Sequence, residues 1–127
     1  MAKPLTIAVK RIHEPAGPGD GARFLVDRLW PRGVSKEKAA LTAWLRPLSP
    51  SDDLRKRFHG ETAGSDAAWD AFRAGYFAEL DAGGAEVAAA LAQFDAAATS
   101  GPVTLLYAAK DEARNNAVAL REWLRAR

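Results

Sequence analysis

Cysteine is absent from the 127-residue chain. That absence excludes disulfides, thiolate metal sites, a redox CxxC pair and a cysteine nucleophile. Histidine is nearly as scarce: His13 and His59 lie far apart with no acidic ligand set beside them, so no zinc or other metal site is expected. Long apolar runs are missing as well. No stretch approaches the roughly 18 apolar residues that span a bilayer, and the N-terminus lacks the apolar core of a signal peptide. A cytoplasmic protein without a membrane partner is the expectation. No glycine-rich loop opens a helix, because Gly17, Gly19 and Gly21 precede a strand; a Walker-type phosphate cradle is excluded. Ser35, Ser49 and Ser51 read as helix caps rather than nucleophiles. No close carboxylate pair suggests glycosidase work. No cofactor is implied.

What is present describes a folded chain. Apolar residues make up 48% and charged residues 27%, and the length suits one domain over residues 1–127. Alanine accounts for 28 residues, so the bulky side chains, four Trp and five Phe among them, carry much of the packing. The formal net charge is +2, but it is unevenly spread. Residues 1–59 hold 12 Lys/Arg against 6 Asp/Glu, and residues 60–127 hold 6 against 10. The first half is therefore +6 and the second −4. A positive end facing an acidic ligand is one reading; solvated acidic helix faces in the second half are the other.

Periodicity gives the elements. Residues 5–12 alternate and carry β-branched side chains, which predicts a strand ending in Lys10 and Arg11. Residues 14–22 hold three Gly and two Pro, a loop. Residues 23–29 contain the apolar run Phe24-Leu25-Val26, a buried central strand stopped at Trp30-Pro31-Arg32-Gly33. Ser35 caps a short helix over 36–43, and Trp44-Leu45 reads as its end or as a short extra strand. Ser49, Pro50 and Asp52 form an N-cap, first helical position and capping-box acid for a helix ended by Gly60. Ser65 starts a helix whose inner stripe is Trp69, Phe72, Tyr76 and Leu80, closed by Gly83-Gly84. An Ala-rich helix follows over 85–98, then a strand at Val103–Tyr107, then a last helix over 112–125 capped by Asp111. Its inner stripe is Ala113, Ala117, Leu120 and Leu124.

Strand, strand, helices, strand, helix is the order of a small α/β layered fold with a mostly parallel short sheet flanked by helices. The first connection is short enough for a hairpin, which leaves the strand order open. In open α/β sheets ligands sit beyond the carboxyl ends of the strands. The first strand ends in Lys10 and Arg11; the second is followed by Asp27, Arg28, Trp30 and Arg32; the third ends in Tyr107 and leads to Lys110, Asp111, Asn115 and Asn116. If the strands run parallel, these groups converge into a cationic pocket with an aromatic wall. A phosphate- or carboxylate-bearing small molecule is its natural ligand. Asp27 is the best catalytic candidate, as a base or as an orienter of cations, although on a buried strand it reads more readily as a structural carboxylate paired with Arg28 or Lys10. Arg32 is the leading anion ligand. His59 reads as a helix-dipole partner, and Lys56 and Arg57 as helix surface.

Three stretches are distinctive: Asp20-Gly21 with Arg23 through Lys36, Ser49 through Arg55, and Val103 through Asp111 with Asn115-Asn116-Ala117. Together they resemble the YeaO-like branch of the bacterial DUF488 family over nearly the whole chain. The resemblance implies a small cytoplasmic α/β protein with no assigned biochemical role. The wider family often carries a Cys after the last strand and a Cys-His-Arg cluster at the next helix start. Here those places resemble Tyr107 and Asn115-Asn116-Ala117, so cysteine or metal chemistry does not carry over. Binding of a small anionic molecule at the strand ends is therefore the leading expectation. Nucleic-acid association through the basic half is the alternative, disfavoured by the lack of a recognition-helix or aromatic RNA signature. A non-catalytic interaction protein, dimeric through the Ala-rich helix, is the third.

Overall fold

Alternating side chains along four short segments build the sheet. The computed structural model describes residues 6–60 and 64–127, so Leu5, expected to begin the first strand, lies outside the described residues. The strands are β1 (Ile7–Arg11), β2 (Ala22–Leu25), β3 (Ala43–Trp44) and β4 (Val103–Tyr107). They lie in the order β1-β4-β2-β3, and every neighbouring pair is parallel. The fold is α/β as the element order implies. The β1–β2 connection is not a hairpin: β4 lies between the two strands, and the loop between β1 and β2 crosses to the far side of β4. Thr104 Oγ1 fastens that loop by donating to the Asp20 carbonyl at 2.7 Å, and Lys10 Nζ reaches the Asp20 carboxylate at 3.2 Å.

Among the described residues there are five helices: α1 (Lys36–Ala39), α2 (Asp52–Phe58), α3 (Asp66–Ala82), α4 (Ala85–Ser100) and α5 (Asn116–Ala126). A 3₁₀ turn, Arg46–Leu48, precedes α2. Residues of one sheet face, Phe24, Val103 and Leu105 among them, join Leu54, Tyr76, Phe94 and Leu120 of α2 to α5 in the main core. The opposite face splits along its length. Leu25 and Leu106 pack with Ile12 and with Ala39 of α1, whereas Arg23 and Thr104 bring polar groups to the end where the strands begin. Buried Arg23 is satisfied by the Ala39 carbonyl and by Asp20. Burying each large apolar side chain is worth ~1.5–3 kcal/mol before chain entropy is counted.

Several element ends differ from the periodicity reading, each for a local reason. β2 stops at Leu25, although the Val26 N–H still donates to Leu106 O at 3.1 Å. α1 is one turn long because Ala40 takes a left-handed φ of 47°. Ala43–Trp44 pairs with β2, so this segment is a strand rather than a helix end. The cap of α2 is Ser51, whose hydroxyl accepts from Leu54 N; Ser49 closes the 3₁₀ turn instead. α4 runs two residues past Ala98 to Ser100. α5 begins at Asn116 and not at Glu112, and Ala113 is exposed rather than part of its inner stripe. Among the described residues, no helix is long and apolar enough to cross a membrane.

Candidate functional site

Parallel pairing places the carboxyl ends of the strands at one edge, where a cleft of about 560 Å³ opens. That size lies within the ~300–1,000 Å³ of small-molecule sites. Its first side is Asp27 and Arg28, just beyond β2. The second is α2, with Pro50 before it and His59 after it, backed by Phe72 of α3. The third is the segment from Ala108 to Asn116 that links β4 to α5.

Asp27 organises the floor. Its carboxylate accepts the Ala108 N–H at 3.1 Å and the Asn116 amide at 2.9 Å. The same Asn116 nitrogen donates to the Val26 carbonyl at 3.0 Å. One side chain thus joins the end of β2, the end of β4 and the first residue of α5. Burial pushes the Asp27 carboxyl above the ordinary carboxylate value, while the Asn116 and Ala108 hydrogen bonds and the Arg55 charge pull it back.

The link from β4 to α5 is held from both ends. Arg11 donates to the carbonyls of Ala109 and Ala108 at 3.0 and 3.3 Å from behind the cleft. Asp111 accepts the N–H groups of Ala113 and Arg114 at 2.9 and 3.0 Å. The Arg114 bond first, then that from Ala113, holds its carboxyl below the usual value. Asn115 is buried, caps α5 by accepting from Val118 N at 2.9 Å, and donates to the Asp111 carbonyl. Asp111 therefore shapes the turn, and the capping role expected of it belongs to Asn115.

Four cations line the cleft against two carboxylates, Asp27 and Asp111. Arg55 and Arg28 both turn toward Asp52, at 3.0 and 3.7 Å. Asp52 is 57% exposed, and pairs so open to solvent are weak, so both guanidiniums remain open to competition from a ligand. Arg114 reaches Asp66 and the Gly64 carbonyl. Lys110 is exposed and makes no ion pair among the described residues. The remaining wall is aromatic: Phe58 stacks on Phe72 at 4.6 Å, with the His59 ring 5.3 Å from Phe58. Among the described residues, no group of three or more His, Cys, Asp or Glu is placed to hold a metal ion.

Of the residues singled out from sequence, Asp27, Arg28, Lys110, Asp111, Asn115 and Asn116 meet at this cleft. The others lie elsewhere. Lys10 is paired with Asp20. Arg11 stands behind the cleft as a brace. Trp30 packs in the second core, its ring N–H donating to the Val34 carbonyl at 2.7 Å. Arg32 is exposed and off the cleft, and Tyr107 is buried in the main core. Arg55, Arg114, Phe58 and His59 also line the cleft, outside the set the sequence pattern points to. The signal for Arg55 was its three-residue spacing from Asp52, which only the position of α2 over the strand ends turns into a site.

Known proteins match this chain over nearly its whole length. Residues 6–127 match the family model described as "Inactive DUF488-N3 subclade". The uncharacterized protein YeaO of Escherichia coli K12 is 43% identical over 122 residues, 96% of this chain and 99% of that protein. The uncharacterized protein Rv3073c of Mycobacterium tuberculosis H37Rv is 32% identical over 127 residues, the full length of both chains. No solved structure matches. With the family model spanning all but the first five residues, the chain belongs to the DUF488 family, in the subclade described as inactive.

Proposed function

We propose that this protein binds a small anionic molecule, bearing phosphate or carboxylate, at the strand-end cleft, and does so without turning it over. The observation that carries the reading is the cleft's lining: Arg28, Arg55, Lys110 and Arg114 around a floor made by Asp27 and Asn116. Cations that are half-exposed and loosely paired gain most from a ligand that brings charge and excludes water. The α5 N-terminus opens beside them and adds its positive dipole end. Asp27 holds the cleft floor in place, one oxygen accepting the Ala108 N–H and the other the Asn116 amide. The word inactive in the family description supports the absence of turnover. The anion-contacting role expected of Arg32 passes to Arg55 and Lys110, because Arg32 does not line the cleft.

Thermal unfolding with millimolar phosphate, pyrophosphate and small carboxylates tests the proposal. A ligand present at about 100 times its Kd stabilises the fold by about 2.7 kcal/mol, a shift of several degrees for a domain of this size. The shift is expected in the native chain and is expected to shrink in Arg55→Ala and Lys110→Ala. If no anion moves the midpoint of the native chain, the reading fails.

A further inference from the structure

We infer that the ligand is a nucleoside monophosphate, a flat heterocycle carrying one phosphate; this deepens the anion-binding reading and rests on it. The cleft is lined by two chemically distinct kinds of group. One is aromatic and apolar: Phe58, stacked on Phe72 at 4.6 Å, the His59 ring 5.3 Å from Phe58, and Pro50. The other is cationic: Arg28, Arg55 and Lys110. Inorganic phosphate would use only the second. A purely hydrophobic molecule would leave the arginines facing an apolar group. A π-surface joined to a dianion engages both at once, because rings stack on aromatic side chains and phosphate matches guanidinium geometry.

A third feature separates a nucleoside from a simple aryl phosphate. Asp27 borders the cleft and accepts one bond at each carboxylate oxygen, which leaves each oxygen a further lone pair. A half-buried acceptor of this kind favours a ligand that offers N–H or O–H donors, as an exocyclic amine or a ribose hydroxyl does. An unsubstituted aryl ring offers none. The volume, about 560 Å³, admits a mononucleotide.

Titration calorimetry of the full chain with AMP, GMP, CMP and UMP, and separately with adenosine, phenyl phosphate and inorganic phosphate, tests the assignment. At least one monophosphate is expected to bind about tenfold or more tightly than inorganic phosphate, adenosine or phenyl phosphate, since each productive group of contacts is worth about that factor. Saturation transfer from the protein should then fall on the base protons. His59→Ala, a change at an exposed side chain, should weaken the best monophosphate several-fold, and Phe58→Leu, checked for a retained thermal midpoint, should do the same. Equal binding of monophosphate and inorganic phosphate would overturn this inference while leaving the anion reading in place. So would phenyl phosphate matching the nucleotides. Adenosine binding as tightly as AMP, or no binding by any probe, would overturn both.

Discussion

Gly21 stands at the entrance to β2, with φ at 64°. A Cβ placed there would lie 2.0 Å from the Pro102 carbonyl oxygen, the atom that accepts the Ala22 N–H at 3.1 Å. The obstacle is backbone on both sides, so no rotamer change relieves it. Gly21→Ala combines a disfavoured backbone conformation with overpacking, and a loss of about 3 kcal/mol is expected. Urea denaturation checks it; a loss below about 1 kcal/mol would mean that the β2–β4 junction yields easily. Asp27 supplies a second prediction, about pH. Its folded value is raised above the ordinary 3.8, chiefly by burial, so the folded state binds the proton more tightly than the unfolded chain. The resulting stability is full below the unfolded value and is lost as pH rises through the folded one. Asp20 and Asp111 run the other way: both are lowered, so their stability is present above the ordinary value and is lost as pH falls. Subtracting Asp27→Asn from the native chain isolates the first contribution. The difference in unfolding free energy is expected to fall as pH rises from 3.8 toward neutrality. A flat or rising difference would contradict it.

Helix starts show how far sequence alone reaches at the scale of elements. Ser49-Pro50-Ser51-Asp52 offers two serines and a proline, and the proline rule favours Ser49 as the cap. The chain instead places a 3₁₀ turn first, and Ser49 Oγ donates to the Arg46 carbonyl while Ser51 Oγ accepts from Leu54 N. Both serines match the local pattern, and the packing of buried Leu48 under Tyr76, whose hydroxyl donates to the Leu48 carbonyl, decides between them. Ser51→Ala is expected to cost about 1 kcal/mol and Asn115→Ala about 1–2, as lost caps do. Urea or thermal denaturation of the two variants measures both; a neutral Ser51→Ala would return the cap to Ser49. The strand pattern, the α3 stripe and the break at Gly101-Pro102 were legible because periodicity and breakers are local signals. The start of α5 was not, since Asp111 and Asn115 are both good caps and only the turn between them selects one. The cleft was half legible for the same reason. Residues that follow a strand directly, such as Asp27 and Lys110, can be read along the chain. Arg55 and His59 reach the site from α2, and nothing local says that α2 lies over the strand ends.

At the scale of the whole molecule, the charge asymmetry changes meaning once the chain is folded. The first 59 residues carry an excess of six positive charges, which in sequence suggests a basic face for nucleic acid. Folding engages much of that excess internally. Lys10 and Arg23 meet at Asp20, and Arg23 also serves the Ala39 carbonyl. Arg11 is bound to the carbonyls of Ala108 and Ala109, and Arg46 donates to the Arg28 carbonyl. Arg57 pairs with Asp53 at the open surface and so stays available, and Arg28 and Arg55 face the cleft beside Asp52. Arg32, Lys36, Lys38 and Lys56 remain as exposed cations without ion pairs among the described residues, and we expect so few to make no tracking surface. Duplex DNA affinity falls with salt in proportion to the phosphates neutralised. Retention on heparin or DNA is therefore expected to be lost at or below roughly 0.15 M salt, where screening acts within about 8 Å. The binding slope against log salt should correspond to about two or three contacts. A steep slope with retention well above that ionic strength would reverse the assignment of these cations and make the basic half a nucleic-acid surface, with the cleft as a separate feature.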